Sequence, residues 1–187
     1  LEQRCGRRCS VGIGTPGALS PATGRLRNAN STCLNNQAVD CDLSNQLDRP
    51  VRIANDADCF ALSEAKDGAA RGAHSAFGGI LGTGTGGGIV IGGQLLQGPT
   101  AIAGEWGHNP LPWPTQDEHP GPKCYCGKRG CIETFLSGPG MAHDYATHTG
   151  RSCTARDIAE RAGKGEIDAA ACLTRYADRL ARGLASV

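Results

Sequence analysis

Neither sign of charge dominates this sequence: 19 basic residues stand against 18 acidic ones, for a formal net charge of +1. That balance leaves no electrostatic footprint for nucleic acid or for an anionic membrane, so the expected ligand is a small molecule. Long apolar runs are also missing. None approaches the roughly 20 residues that a membrane-spanning helix needs, and the opening LEQRCGRRCS has neither the apolar centre nor the cleavage site of a secretion signal. The chain is therefore expected to be soluble and cytoplasmic, with no nucleic-acid or membrane partner. Aromatic residues are few, at 4%, yet 39% hydrophobic content over 187 residues suffices to bury a core. Length alone allows one large domain or two small ones.

Cysteine is what the chain has in excess, with 10 residues. A disulfide framework is the reading for short secreted chains, and without a secretion signal most of these thiols are expected to be reduced. Cys5, Cys9, Cys33, Cys41, Cys59, Cys153 and Cys172 are scattered, whereas Cys124, Cys126 and Cys131 fall within eight positions. Only that cluster points to chemistry. Both ends look abrupt, because the chain opens just ahead of Val11-Gly12-Ile13 and stops within a helical pattern at Val187. It is expected to be the middle of a longer protein.

Apolar runs bounded by glycine and proline predict strands at 11–13, 51–54, 76–81 and 89–91, with hairpin returns at Pro21 to Gly24 and at Gly92-Gly93. Alanine-rich or amphipathic patterns predict helices at 57–71, 132–148, 155–162 and 169–187, with breaks near Gly138-Pro139-Gly140 and Gly163 to Gly165. Gly82-Thr83-Gly84-Thr85-Gly86-Gly87-Gly88 reads as a turn between two strands. The stretch from Gly98 to Gly130, with both tryptophans and the cysteine cluster, is a long irregular segment that needs a staple or a function.

Three features could carry chemistry. Cys124-Tyr125-Cys126-Gly127-Lys128-Arg129-Gly130-Cys131 places three thiols on a glycine-turned loop, and zinc prefers four sulfur or nitrogen ligands in a tetrahedron. His108 is the candidate fourth ligand and His119 its rival; free or oxidised thiols are the bland alternative. The glycine turn lets backbone N–H groups approach phosphate oxygens, with Thr83 and Thr85 adding hydroxyls, although it matches neither the Walker nor the Rossmann spacing and could be a plain hairpin. Asp56 ends a strand, where a carboxylate can take a proton from an attacking hydroxyl. Asp56 or Asn55 could equally be the N-cap of the following helix, and Asp58 competes with Asp56. Glu105 and Glu133 flank the cysteine loop, as sugar-binding carboxylates or as surface charge.

These pieces, in this order, resemble the ROK family of sugar kinases and sugar-responsive repressors. The resemblance is carried by Gly14-Thr15-Pro16-Gly17, the loop Asn28-Ala29-Asn30-Ser31-Thr32, Ile53-Ala54-Asn55-Asp56-Ala57, the 82–88 glycine turn, Gly104-Glu105-Trp106-Gly107-His108, and the cysteine motif running on to Ile132-Glu133. It spans nearly the whole chain from about residue 11. Glu105 to Trp113 is most similar to manno(fructo)kinase members, with N-acetylglucosamine kinases next. The resemblance implies an α/β chain of the actin/hexokinase-like, ribonuclease H-like fold, with residues 1–73 the remainder of a small N-terminal domain and 74–187 part of a large C-terminal one.

By the same resemblance, Asp56 is the general base. Gly17, Thr32, Asn55, Glu105, His108 and Glu133 contact the sugar, while Gly82, Thr83, Gly84, Thr85, Gly86 and Gly87 hold nucleotide phosphate. His108, Cys124, Cys126 and Cys131 ligate a structural zinc, with His108 reaching sugar and metal through different nitrogens. The implied cofactors are ATP with Mg2+ and zinc, and family members are often homodimers. The implied reaction is 6-phosphorylation of a hexose, fructose or mannose first and glucose or N-acetylglucosamine second. A ROK repressor is the alternative, set behind the kinase because Asp56 and the full glycine turn are both present. The chain departs from the family in lacking an Asp-x-Gly-Gly-Thr phosphate motif and the C-terminal adenosine motif, so this piece by itself is expected to be inactive. Residues 1–10 do not match the family lead-in, and Cys33 stands where tryptophan is common.

Overall fold

The computed structural model describes residues 2–29 and 31–187, so Leu1 and Asn30 of the polar loop lie outside the described residues. A short helix α1 (Glu2–Cys5) precedes β1 (Val11–Thr15). The pair β2 (Ala18–Leu19) and β3 (Leu26–Arg27) is antiparallel, closed by the turn in which Gly24 N–H donates to Ser20 O at 2.8 Å. Helix α2 (Val39–Leu47) carries the chain to β4 (Val51–Asn55), which lies parallel to β1 from Val11 opposite Val51 to Thr15 opposite Asn55. Parallel neighbours need a crossover, and α2 lies on it. The sequence pattern gave no warning of this helix, because none of its residues is fully buried and no apolar stripe marks it.

Strand β4 runs directly into α3 (Asp56–Lys66). Its buried Ala57 and Ala61 sit against Gly88, where a Cβ would lie 2.9 Å from both the Ala57 carbonyl oxygen and the Ala61 Cβ. Small residues on both sides thus let helix and strand backbones approach closely. The three-stranded sheet is ordered β5 (Ser75–Leu81), β6 (Thr85–Ile91), β7 (Gln94–Leu95). The glycine turn is shorter than its composition predicts: only Gly82, Thr83 and Gly84 turn, with Gly82 N–H on Gly84 O at 2.9 Å, and Thr85 to Gly88 already belong to β6. At Gly88 the close approach of α3 leaves no room for a side chain.

Two compact units result, residues 1–78 with 88–104 and residues 79–87 with 105–187. The second holds α4 (Glu133–Leu136), α5 (Gly138–Thr149), α6 (Ala155–Gly163) and α7 (Ile167–Leu184). The break expected near Gly138-Pro139-Gly140 falls at Ser137, whose Oγ caps α5 by accepting from Gly140 N–H at 3.1 Å. Thr154 and Asp157 form a reciprocal capping box on α6. Tyr145, Ile158, Ala169 and Cys172 make a fully buried cluster among α5, α6 and α7.

A buried ion network ties the irregular segment to these helices. Arg179 donates to Glu118 Oε1 at 2.7 Å and to Asp144 Oδ1 at 2.8 Å, and all three residues are buried. Arg175 holds the other Asp144 oxygen at 2.6 Å, and Arg182 reaches both Glu118 oxygens at 2.9 Å. Burial works to raise the Glu118 carboxyl, but hydrogen bonds from Arg182 and Arg179 outweigh it and hold the group at about 2. Below its ordinary value of 4.5 in the unfolded chain, Glu118 binds a proton more readily unfolded than folded, so its stabilisation is full above 4.5 and is lost as pH falls towards 2. Glu118→Gln is expected to lower stability by about 3 kcal/mol, since it strands buried guanidinium charge. Urea midpoints across pH should show a shallower acid decline in the variant than in wild type; equal slopes would count against the network.

Candidate functional site

In the first unit, the β4–α3 junction settles which residue caps the helix. Asn55 is the N-cap: its Oδ1 accepts from Ala57 N–H at 2.8 Å and Asp58 N–H at 3.2 Å, while its Nδ2 donates to Gly17 O at 3.1 Å. Asn55 is buried by these bonds, and Asp56 is left exposed on the first turn of α3, its Oδ1 accepting from Ala57 N–H at 2.9 Å. A helix N-terminus favours negative charge there. Asp58 is turned inward, and burial, then the charge of Asp56, raises its carboxyl. Gly17, Asn55 and Asp56 adjoin through hydrogen bonds or sequence, and Thr32 starts an exposed 3-10 turn (Thr32–Leu34).

In the second unit, His108, Cys124, Cys126 and Cys131 converge, with one ligand atom from each lying within 4.8 Å of the others. Cys124 Sγ is 3.5 Å from His108 Nδ1, and Cys126 Sγ is 3.7 Å from Cys131 Sγ. Zinc–sulfur bonds of about 2.3 Å in a tetrahedron give edges of roughly 3.8 Å, so the donor set and its spacing fit zinc. His119 is not among the converging groups. The loop is built for this by a backbone hairpin, Cys124 N–H donating to Lys128 O at 2.9 Å, with Gly127 and Gly130 at positive φ of 89° and 67°. Burial pushes the Cys131 thiol up to about 12 and raises Cys124, while the Lys128 backbone N–H lowers Cys126. Ionising all three sulfurs in this space needs a cation. Four protein ligands would leave no open coordination position, the mark of a structural site.

Beside this knuckle, Glu133 is buried and reaches the glycine turn, its Oε2 accepting from Thr85 N–H at 2.9 Å. Its own N–H donates to Gly107 O at 2.9 Å. Gly107 must lack a side chain, because a Cβ there would land on the Thr85 carbonyl oxygen. Trp106 Nε1 donates to Gly86 O at 2.7 Å, and Glu105 lies half-buried beside it. Surface charge is thus excluded for Glu133. The second His108 nitrogen, Nε2, pairs with the Tyr125 hydroxyl at 3.0 Å.

A cavity of about 620 Å³ opens next to the turn, lined by Gly82 and Thr83, by Gly138 and Pro139 at the start of α5, and by Thr154 to Arg156 at the start of α6. Gly138 N–H donates to Gly82 O at 2.8 Å, tying the turn to α5. Helix N-termini at its wall suit an anionic ligand, and the volume is that of a small-molecule pocket. Gly82 and Thr83 line this cavity; Gly84, Thr85, Gly86 and Gly87 are not among its lining residues. The helix starts at 138 and 154 were not singled out from sequence as site residues, although Ser137-Gly138-Pro139 and the Thr154 cap were legible as helix beginnings.

The sequence matches the ROK family over residues 1–187. It is 41% identical, over 95% of the chain, to an N-acetyl-D-glucosamine kinase from Yersinia pestis, of which it covers 71%. Among solved structures, a ROK hexokinase from Thermus thermophilus superposes with a TM-score of 0.85 at 33% identity, covering 99% of this chain and 60% of that one. A ROK family glucokinase from Streptomyces griseus, solved with glucose and AMPPNP, gives 0.76 at 26% identity, covering 97% and 62%. The chain spans 60 to 63% of several further N-acetyl-D-glucosamine kinases that it matches, less than two thirds of their length.

Metal analysis of the purified protein is expected to find about one zinc per chain, and Cys131→Ser to lose it. A folded wild-type protein without metal would remove zinc from the knuckle.

Proposed function

The chain belongs to the ROK family and carries its actin/hexokinase-like α/β fold, and from that premise we propose that the protein transfers the γ-phosphoryl group of ATP to the 6-hydroxyl of an amino-sugar hexose, N-acetyl-D-glucosamine. The relatives' names put this acceptor ahead of the fructose or mannose expected from the Glu105 to Trp113 stretch. Because the chain covers less than two thirds of most of those relatives, the activity is that of the whole protein. It takes place in the cytoplasm, where the knuckle thiols and the scattered cysteines stay reduced.

The observation that carries the reading is the exposed Asp56 carboxylate, left uncovered on the first turn of α3 because Asn55 does the capping. Asp56 accepts the proton of the sugar 6-hydroxyl as that oxygen bonds to the γ-phosphorus and the bond to the departing ADP breaks. Glu105, His108, Glu133, Asn55, Gly17 and Thr32 serve the sugar. Glu133 retains one carboxylate oxygen for this, since Oε2 is engaged by Thr85. The 82–87 segment and the cavity beside it serve the nucleotide, with Thr83 and the start of α6 at the cavity wall on the phosphate side. Mg2+ enters with ATP and offsets phosphate charge. The zinc of the knuckle is structural and pins His108.

Asp56→Asn in the intact protein is expected to reduce kcat by about 10³-fold, in the range that a general base contributes, while calorimetry finds sugar affinity within a few fold of wild type. Turnover within tenfold of wild type would take Asp56 out of the reaction. In a coupled assay, kcat/KM for N-acetyl-D-glucosamine is expected to exceed that for fructose, mannose and glucose.

A further inference from the structure

The cavity beside the glycine turn is walled by neutral side chains with one exception, Arg156, the single charged residue among those that line it. A triphosphate carries several negative charges and needs cationic or N–H donors to meet them. The two helix starts at the wall differ in what they can offer. On α5, Gly138 N–H donates to Gly82 O at 2.8 Å and Gly140 N–H to Ser137 Oγ at 3.1 Å, and Pro139 between them has no N–H. On α6, the capping box engages Thr154 N–H with Asp157 Oδ2 and Asp157 N–H with Thr154 Oγ1, both at 3.1 Å. Ala155 and Arg156, the first two residues of that helix, are left with N–H groups that have no intrahelical acceptor. The donors free to meet an anion therefore lie on α6, and Arg156 supplies them from both backbone and side chain.

The guanidinium is held at one corner only. Its Nε donates to Glu160 Oε1, one turn further along α6, at 3.1 Å, and its two terminal nitrogens have no partner among the described residues. Arg151, Arg161, Arg175, Arg179 and Arg182, by contrast, all commit a terminal nitrogen to a carboxylate. The Arg156 side chain is 88% exposed, so Glu160 restrains it weakly and the planar fork can turn onto a phosphate.

We propose that Arg156 is a nucleotide-binding residue: the paired N–H donors at the end of its guanidinium hold a phosphate of ATP at the α6 wall of the cavity, while Glu160 keeps hold of Nε. The role rests on the reading of this cavity as the nucleotide site, and deepens it by naming the protein charge that meets the phosphates. Arg156 contributes affinity and leaves the proton transfer to Asp56.

The test is Arg156→Gln in the intact protein, a change at an exposed side chain that leaves the buried cluster of α5, α6 and α7 untouched. Calorimetry with Mg-ATP is expected to show affinity reduced by about tenfold, the range of one hydrogen bond to a charged group. Adenosine, which has no phosphate, should bind wild type and variant within about twofold of each other. ATP affinity within twofold of wild type, or an equal loss for ATP and adenosine, would overturn the phosphate contact and leave the nucleotide reading of the cavity standing. Wild-type protein that binds neither ATP nor adenosine would overturn both.

Discussion

A buried carboxylate left without donors costs several kcal/mol, and Glu133 meets that demand by gripping backbone. Its Oε2 takes Thr85 N–H at 2.9 Å while its N–H goes to Gly107 O at 2.9 Å. One residue therefore binds the glycine turn, the segment that carries His108 and, two positions after Cys131, the cysteine knuckle. The constraint explains the small residues around it. Gly107 has no room beyond Cα, and a Cβ on Gly84 would approach the Glu133 carboxylate to 2.8 Å. Shifting the knuckle would pull on the turn through this side chain.

The segment from Glu105 to Ile132 contains no strand longer than an isolated bridge, yet it is held at separated points. The Cys and His side chains converge at one, and Glu118 meets Arg179 and Arg182 at another. Two different kinds of fastening are used. The ion network is satisfied within the protein, with every Glu118 oxygen bonded, whereas the sulfur cluster brings together four donor atoms with the spacing of a metal site. The first unit reaches its site by simpler means, because a single asparagine caps a helix and ties it to Gly17, while the adjacent aspartate stays exposed.

Much of the fold was legible. Strands at 11–15, 51–55 and 75–81 follow from short apolar runs between turn residues, and the α5 to α7 helices from alanine-rich amphipathic patterns with caps. Helix α2 was not, since it buries none of its residues fully and has no stripe to detect. The extension of β6 back to Thr85 was not, because glycine argues for a turn when read alone and only the place of β6 within a paired sheet makes these residues strand.

The sequence by itself determined the family and the sites that depend on local spacing: three cysteines on a glycine-turned loop, a glycine-threonine turn between strands, and an Asn-Asp pair where a strand meets a helix. Those signals are local because the backbone requirements behind them span only a few residues. Tertiary structure decided the choices between equal candidates. It took His108 over His119, gave the cap to Asn55 rather than Asp56, and buried Glu133 instead of leaving it on the surface. Each of these turns on a partner brought from elsewhere along the chain, as Thr85 is to Glu133, and spacing within a motif carries no information about which distant group will fill the space beside it.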